Sequence, residues 1–118
     1  MNRNVPSPIQ KALSLLGMAK QAGAVAGGVE GVRSLCRSGR ARLVLVAQDC
    51  SENSSKRIAD CCAFYRVQLV SLPCSMGELG HAIGAGDAAA VAVSNAGLAR
   101  AIVSSLPPTS LQPDEGGY

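Results

Sequence analysis

A chain of 118 residues with 47% hydrophobic side chains is long enough for one well-buried core and too short for two. Phe64, Tyr65 and Tyr118 are its only aromatics, so the interior has to be packed from alanine, valine, leucine and isoleucine, and the composition argues against recognition by stacking many unpaired bases. The formal charge of +3 hides an asymmetry: residues 1–105 carry all 11 basic side chains but six acidic ones, 11 minus 6 or +5, because Asp114 and Glu115 follow them.

In chain order, residues 1–7 read as a flexible arm, and Pro8 suits the first turn of a helix opened by Ser7. Ile9, Leu13 and Leu16 recur at helical spacing until Gly23 supplies a stop. Residues 24–26 form a short strand before Gly27 and Gly28, and a second helix over 29–37 places Val29, Val32 and Cys36 on one face. Residues 43–47, Leu-Val-Leu-Val-Ala, are apolar throughout, the pattern of a central strand covered on both faces, so helices have to flank the sheet on both sides.

After the polar loop 48–53, Ile58, Cys61, Cys62 and Tyr65 mark one face of a third helix. Residues 67–72 read as a strand ended by Pro73, and Ser75 with Glu78 forms a capping box for a fourth helix containing Leu79, Ala82 and Ile83. Gly84 and Gly86 close that helix. Residues 88–93 make another buried strand, Ser94 or Asn95 caps a last helix, and Pro107-Pro108 stops it. The order αβαβαβαβα predicts an α/β fold, a three-layer α/β/α sandwich with a small mixed sheet of about four strands and five helices. Residues 8–105 would form this single domain, and 106–118, rich in proline and glycine, a disordered tail.

The chemistry-bearing residues narrow the function by elimination. Five cysteines at 36, 50, 61, 62 and 74 form an odd set with no CxxC pair, which suits reduced core residues rather than zinc or disulfides. No apolar signal core or membrane-length run occurs, and the expected location is the cytoplasm. A single histidine, His81, on a polar helix face excludes a histidine-rich metal site. Gly84-Ala85-Gly86-Asp87-Ala88-Ala89 superficially fits GxGxxA, but it follows a helix and leads into a strand, the reverse of a dinucleotide fingerprint. Neither a phosphate-binding GxxxxGK[ST] loop nor a GxSxG elbow is present, so no enzyme, cofactor or small-molecule substrate is expected.

Two features survive. Arg33, Arg37, Arg40 and Arg42 fall within ten residues free of acid; they read equally well as a solvated face or as a field for a polyanion. Gly27-Gly28-Val29-Glu30 opens the second helix, where backbone can approach a ligand closely and unpaired N–H groups favour phosphate or carbonyl oxygens; a plain turn is the alternative.

The block Gly39-Arg40-Ala41-Arg42-Leu43-Val44-Leu45-Val46-Ala47-Gln48-Asp49, followed by Ser51-Glu52-Asn53, resembles the strand-and-loop block of the ribosomal "L-seven-Ae" superfamily. Leu15-Leu16-Gly17-Met18-Ala19 upstream and Glu78-Leu79-Gly80-His81-Ala82-Ile83-Gly84 downstream extend the resemblance over roughly residues 9–103, nearest to its bacterial YlxQ-type ribosomal-protein-like subgroup. It implies recognition of kink-turns, sharply bent RNA duplexes, by the glycine-led start of the second helix. Gly28 keeps the leading glycine, whereas Glu30 stands where the superfamily usually has asparagine, Gly31 where it has glutamate and Ser34 where it has lysine. A carboxylate only accepts hydrogen bonds and is repelled by phosphate; Arg33, one position away, offers a replacement cation.

Further contacts implied by the resemblance are Gln48, Asp49 and Ser51 after the central strand, and residues 86–90 before the last strand, with Ala88 and Ala89 against a flipped-out nucleotide. Lys20, Arg37, Arg40 and Lys56 are the candidate phosphate contacts. The expected function is a non-catalytic RNA binder for structured, kink-turn-like RNA, ribosomal RNA and the ribosome included. The departures at Glu30, Gly31 and Ser34 leave a protein-interaction module on the same fold, with weak non-specific RNA affinity, as the alternative.

Overall fold

The computed structural model describes residues 7–106, so residues 1–6 of the expected arm and 107–118 of the expected tail lie outside the described residues. Five helices alternate with four strands: α1 Ser7–Gln21, β1 Val25–Gly27, α2 Gly28–Arg37, β2 Leu43–Ala47, α3 Glu52–Tyr65, β3 Leu69–Leu72, α4 Met76–Ala82, β4 Ala90–Val93 and α5 Ala96–Ser105. The strands form one mixed sheet in the order β1-β4-β2-β3, with β4 antiparallel to both neighbours and β2 parallel to β3.

Side-chain alternation along the central strands divides the interior in two. Leu43, Leu45 and Ala47 of β2, with Val91 and Val93 of β4, pack beneath α1, α4 and α5 against Leu16, Leu79 and Ile102. Val44 and Val46, with Ala90 and Ala92, face the other way, against Val32 and Cys36 of α2 and Ile58 and Cys62 of α3. All five residues of β2 are buried, as an apolar strand covered on both faces should be. The fold is therefore the α/β/α sandwich expected from the element order. No helix among the described residues is long and apolar enough to cross a membrane.

Several element ends move for identifiable reasons. The strand expected over 67–72 begins at Leu69, because Arg66 turns left-handed (φ 59°) to end α3 and the Val67 N–H donates to the Cys62 carbonyl. The strand expected over 88–93 begins at Ala90, since the Ala88 N–H is drawn away to the Met76 carbonyl. Tyr65, expected on the inward face of α3, is exposed at the end of that helix. Leu106, which the sequence assigns to the tail, is buried in the core against the α1–α5 layer. Cys62 is buried as expected, and Cys61 half so.

Candidate RNA-binding surface

The sheet register gathers three segments at one end of the molecule. Gly27, the last residue of β1, pairs with Val91, near the start of β4, and Val46, near the end of β2, pairs with Ala90. The Ala47 N–H then donates to the Ala89 carbonyl, and the Gln48 N–H to the Cys74 carbonyl. The start of α2, the loop after β2 and the segment before β4 consequently lie side by side.

Local sequence treats α2 differently from the helices that follow it. Ser51 caps α3, Ser75 and Glu78 form a reciprocal capping box on α4, and Asn95 caps α5. At the N-cap of α2 stands Gly27, which has no side chain to offer. The N-cap makes no side-chain hydrogen bond, so the first-turn N–H groups that a helix start leaves without an intrahelical partner have no side-chain acceptor. Gly28 adopts φ +83°, a left-handed conformation in which an added Cβ would meet open space, so glycine is required there by backbone torsion rather than by crowding. The result is a helix start without a side-chain cap, its positive dipole end set beside two loops.

Glu30 is the nearest charged side chain. It is 75% exposed and pairs at 3.4 Å with two guanidiniums, Arg33 one turn along α2 and Arg57 on α3. One carboxylate thereby draws together two cations from different helices. Arg57 escapes a reading of the sequence alone, because the ion pair that brings it here spans 27 residues; its only local signal is its place next to buried Ile58, at the edge of the inward face of α3.

The other expected contacts divide. Gln48 is exposed at the same end of the sheet, and Val29 is half-buried against the α2–α3 core. Asp49 is exposed, but one carboxylate oxygen accepts the Met76 N–H at 2.8 Å, which ties the loop after β2 to the start of α4. The Ser51 hydroxyl accepts the Ser54 N–H as the cap of α3. Lys20 donates from Nζ to the Ile83 carbonyl at 3.2 Å, neutralising the end of α4, and Ile83 in turn lies against Gly27, where a Cβ would come within 2.7 Å of its Cδ1. Lys56 is exposed on α3, about 100° around the helix from Arg57.

One expectation needs correction, and two candidate phosphate contacts, Arg37 and Arg40, lie far from the start of α2. Ala88 is 4% exposed and packed in the core, so its side chain has no surface to give a nucleotide; Ala89 beside it is half-buried and is held through its carbonyl. Arg37 ends α2, about 13 Å along the helix from Gly28 at 1.5 Å per residue. Arg40 lies beyond it, just before the Arg42 N–H donates to the Val93 carbonyl at the opposite end of the sheet. The arginine run is therefore spread along the α2 face and past its end, and of its members Arg33 lies within two turns of Gly28. The cause is simple: a helix carries its C-terminal residues away from its start.

Three buried thiols are held protonated by loss of water: Cys36 and Cys74 are pushed up to about 11 and Cys62 to about 12. They belong to the core and not to the surface.

Residues 10–103 match the model of the ribosomal protein L7Ae/L30e/S12e/Gadd45 family. A Bacillus subtilis protein named RNA-binding protein YlxQ is 37% identical over 92 residues, 78% of this chain and 91% of the relative. An Enterococcus faecium protein of the same name is 38% identical over 63 residues, 53% of this chain and 61% of the relative. Among solved structures, a Bacillus halodurans protein of unknown function superposes with a TM-score of 0.74 at 29% identity, covering 80% of this chain and 95% of its own. The Giardia lamblia 15.5kD RNA binding protein superposes with a TM-score of 0.68 at 18% identity, covering 84% and 88%, which is a likeness of fold. With that span of matched residues and that relative, this chain belongs to the ribosomal protein L7Ae/L30e/S12e/Gadd45 family.

Proposed function

We propose that this protein is a non-catalytic RNA-binding protein of the cytoplasm that recognises structured, kink-turn-like RNA, ribosomal RNA being the natural candidate. The observation that carries the reading is the uncapped, glycine-led start of α2, set beside the loop after β2 and the segment before β4. Its N–H groups would take phosphate or base oxygens in a widened groove, Gln48 would reach a base edge, and Arg33 and Arg57 would meet phosphates. The names of its YlxQ relatives support RNA as the partner.

The mechanism is a population shift. A protein that fits the bent form better than the straight one draws a flexible RNA into the bend, and needs no chemical step to do so. Gel-shift titrations with a kink-turn RNA, a straight duplex and a kink-disrupted control, each at two salt concentrations, test it. Preference for the kinked RNA supports the reading. Equal, weak binding to all three that vanishes with salt refutes it and favours a protein-interaction module.

A further inference from the structure

Beyond the start of α2, the outer faces of α2 and α3 enclose an open groove of about 510 Å³ whose walls carry Arg33, Arg37, Arg57, Asp60, Phe64 and Tyr65. Phe64 is 77% exposed, the most exposed large hydrophobic residue described. Tyr65 meets it edge-on, with ring centroids 4.8 Å apart and planes at 82°, which braces the ring without covering it. An aromatic surface held in water beside guanidiniums asks for a planar, anionic ligand. Met18 on α1 and Tyr65 are the other exposed large hydrophobics among the described residues, so the groove lacks the contiguous apolar patch that a protein partner or a second copy of this chain would bury. Arg37 has no ion pair among the described residues, and Arg33 and Arg57 share a single carboxylate, that of Glu30. Glu30 also links the groove to the start of α2, because the pair it forms with Arg57 bridges the two helices.

We propose that this groove is a second RNA contact, which holds an unpaired strand leaving the bent duplex, with its phosphates on Arg33, Arg37 and Arg57 and a base stacked on Phe64. The proposal rests on the reading of the α2 start as an RNA site and adds a substrate class, single-stranded RNA flanking the bend. Three aromatics in the whole chain preclude a long stacking platform, and the Phe64 ring, braced edge-on by Tyr65, serves a single base. Phe64 stands twelve positions after Glu52 on α3, about 18 Å along the helix. Six stacked nucleotides at about 3.4 Å each cover that distance.

The test is fluorescence anisotropy with a kink-turn RNA carrying no extension, six unpaired adenosines at its 3′ end, or six at its 5′ end, and with free hexa-adenylate. Wild-type protein is compared with Phe64→Ala, Phe64→Leu and Phe64→Trp. Because Phe64 is exposed, these variants are expected to fold, which circular dichroism verifies. One of the two extensions should tighten wild-type binding about fivefold or more, the effect of one stacked base. Phe64→Ala and Phe64→Leu should lose that gain and match wild type on unextended RNA, whereas Phe64→Trp keeps it. The groove proposal is overturned if neither extension helps a wild-type protein that still prefers kinked RNA, or if the gain survives in Phe64→Leu. If kinked RNA is not preferred at all, the proposed function fails, and hexa-adenylate decides the groove alone: binding that depends on Phe64 upholds it, and absence of binding overturns it. A glutamate-rich peptide that binds through Phe64 where neither extension does would assign the groove to a protein partner and overturn the RNA reading.

Discussion

Replacing Glu30 with glutamine separates two opposed roles for the one carboxylate beside the proposed RNA site. In the free protein Glu30 occupies Arg33 and Arg57 at 3.4 Å each, in a pair of bridges exposed to solvent. Such bridges contribute about 0–1 kcal/mol each, so Glu30→Gln should unfold at nearly the wild-type temperature. Toward RNA the change removes a repulsive charge and frees up to two guanidiniums. Each one that then meets a phosphate steepens the dependence of log K on log salt by about 0.9. Over a rise from about 50 to about 200 mM salt, one such contact makes the variant lose about 3.5-fold more affinity than wild type, and two make it lose about 12-fold more. Expected, then, is tighter binding at low salt and a steeper slope, read by anisotropy titration of a kink-turn RNA at four salt concentrations. Weaker binding at every salt with an unchanged slope would refute the reasoning, because it would mean that the carboxylate reads a base edge rather than restraining the arginines.

Gly80→Ala should destabilise the protein by about 1–3 kcal/mol or more in thermal unfolding, because a Cβ there collides with the backbone carbonyl of Gly86, which cannot rotate aside as a side chain would. Asp49→Ala should cost about 1–2 kcal/mol by removing the acceptor of the Met76 N–H, with faster hydrogen exchange at Met76 as the local signature. Native protein at pH 8 should expose Cys50 and Cys61 to a thiol reagent while Cys36, Cys62 and Cys74 react only on unfolding, since the latter three are buried. Their folded-state values of about 11, 12 and 11 lie above the ordinary 9.0, so the stability they contribute is present in full below pH 9 and is lost between pH 9 and about 12. Guanidinium denaturation at pH 8 and pH 10.5 should show lower stability at the higher pH, and equal midpoints would refute the burial of these thiols.

Periodicity and capping were legible without coordinates. The apolar run 43–47 is β2 to the residue, and Ser75 with Glu78 does form a capping box. These are local matters: a two-sided buried strand must be apolar throughout, and a cap needs its partner three residues away. Glycine at position 28 was equally visible, although the torsion that requires it, φ +83°, was not. The strands β3 and β4 begin later than their apolar runs suggest because hydrogen bonds from Val67 and Ala88 to other elements outcompete the ladder for those residues.

What the amino-acid order determined by itself is therefore the sequence of elements, the two-faced sheet and a helix start left uncapped. Only tertiary structure decided which charges share that start. Packing α2 against α3 brings Arg57 to Glu30 across 27 residues and sets Phe64 beside the arginines, while the length of α2 removes Arg40 from the site. Helical and strand periods report which face a residue occupies, but the neighbour that it meets there depends on how faces from distant segments are laid together.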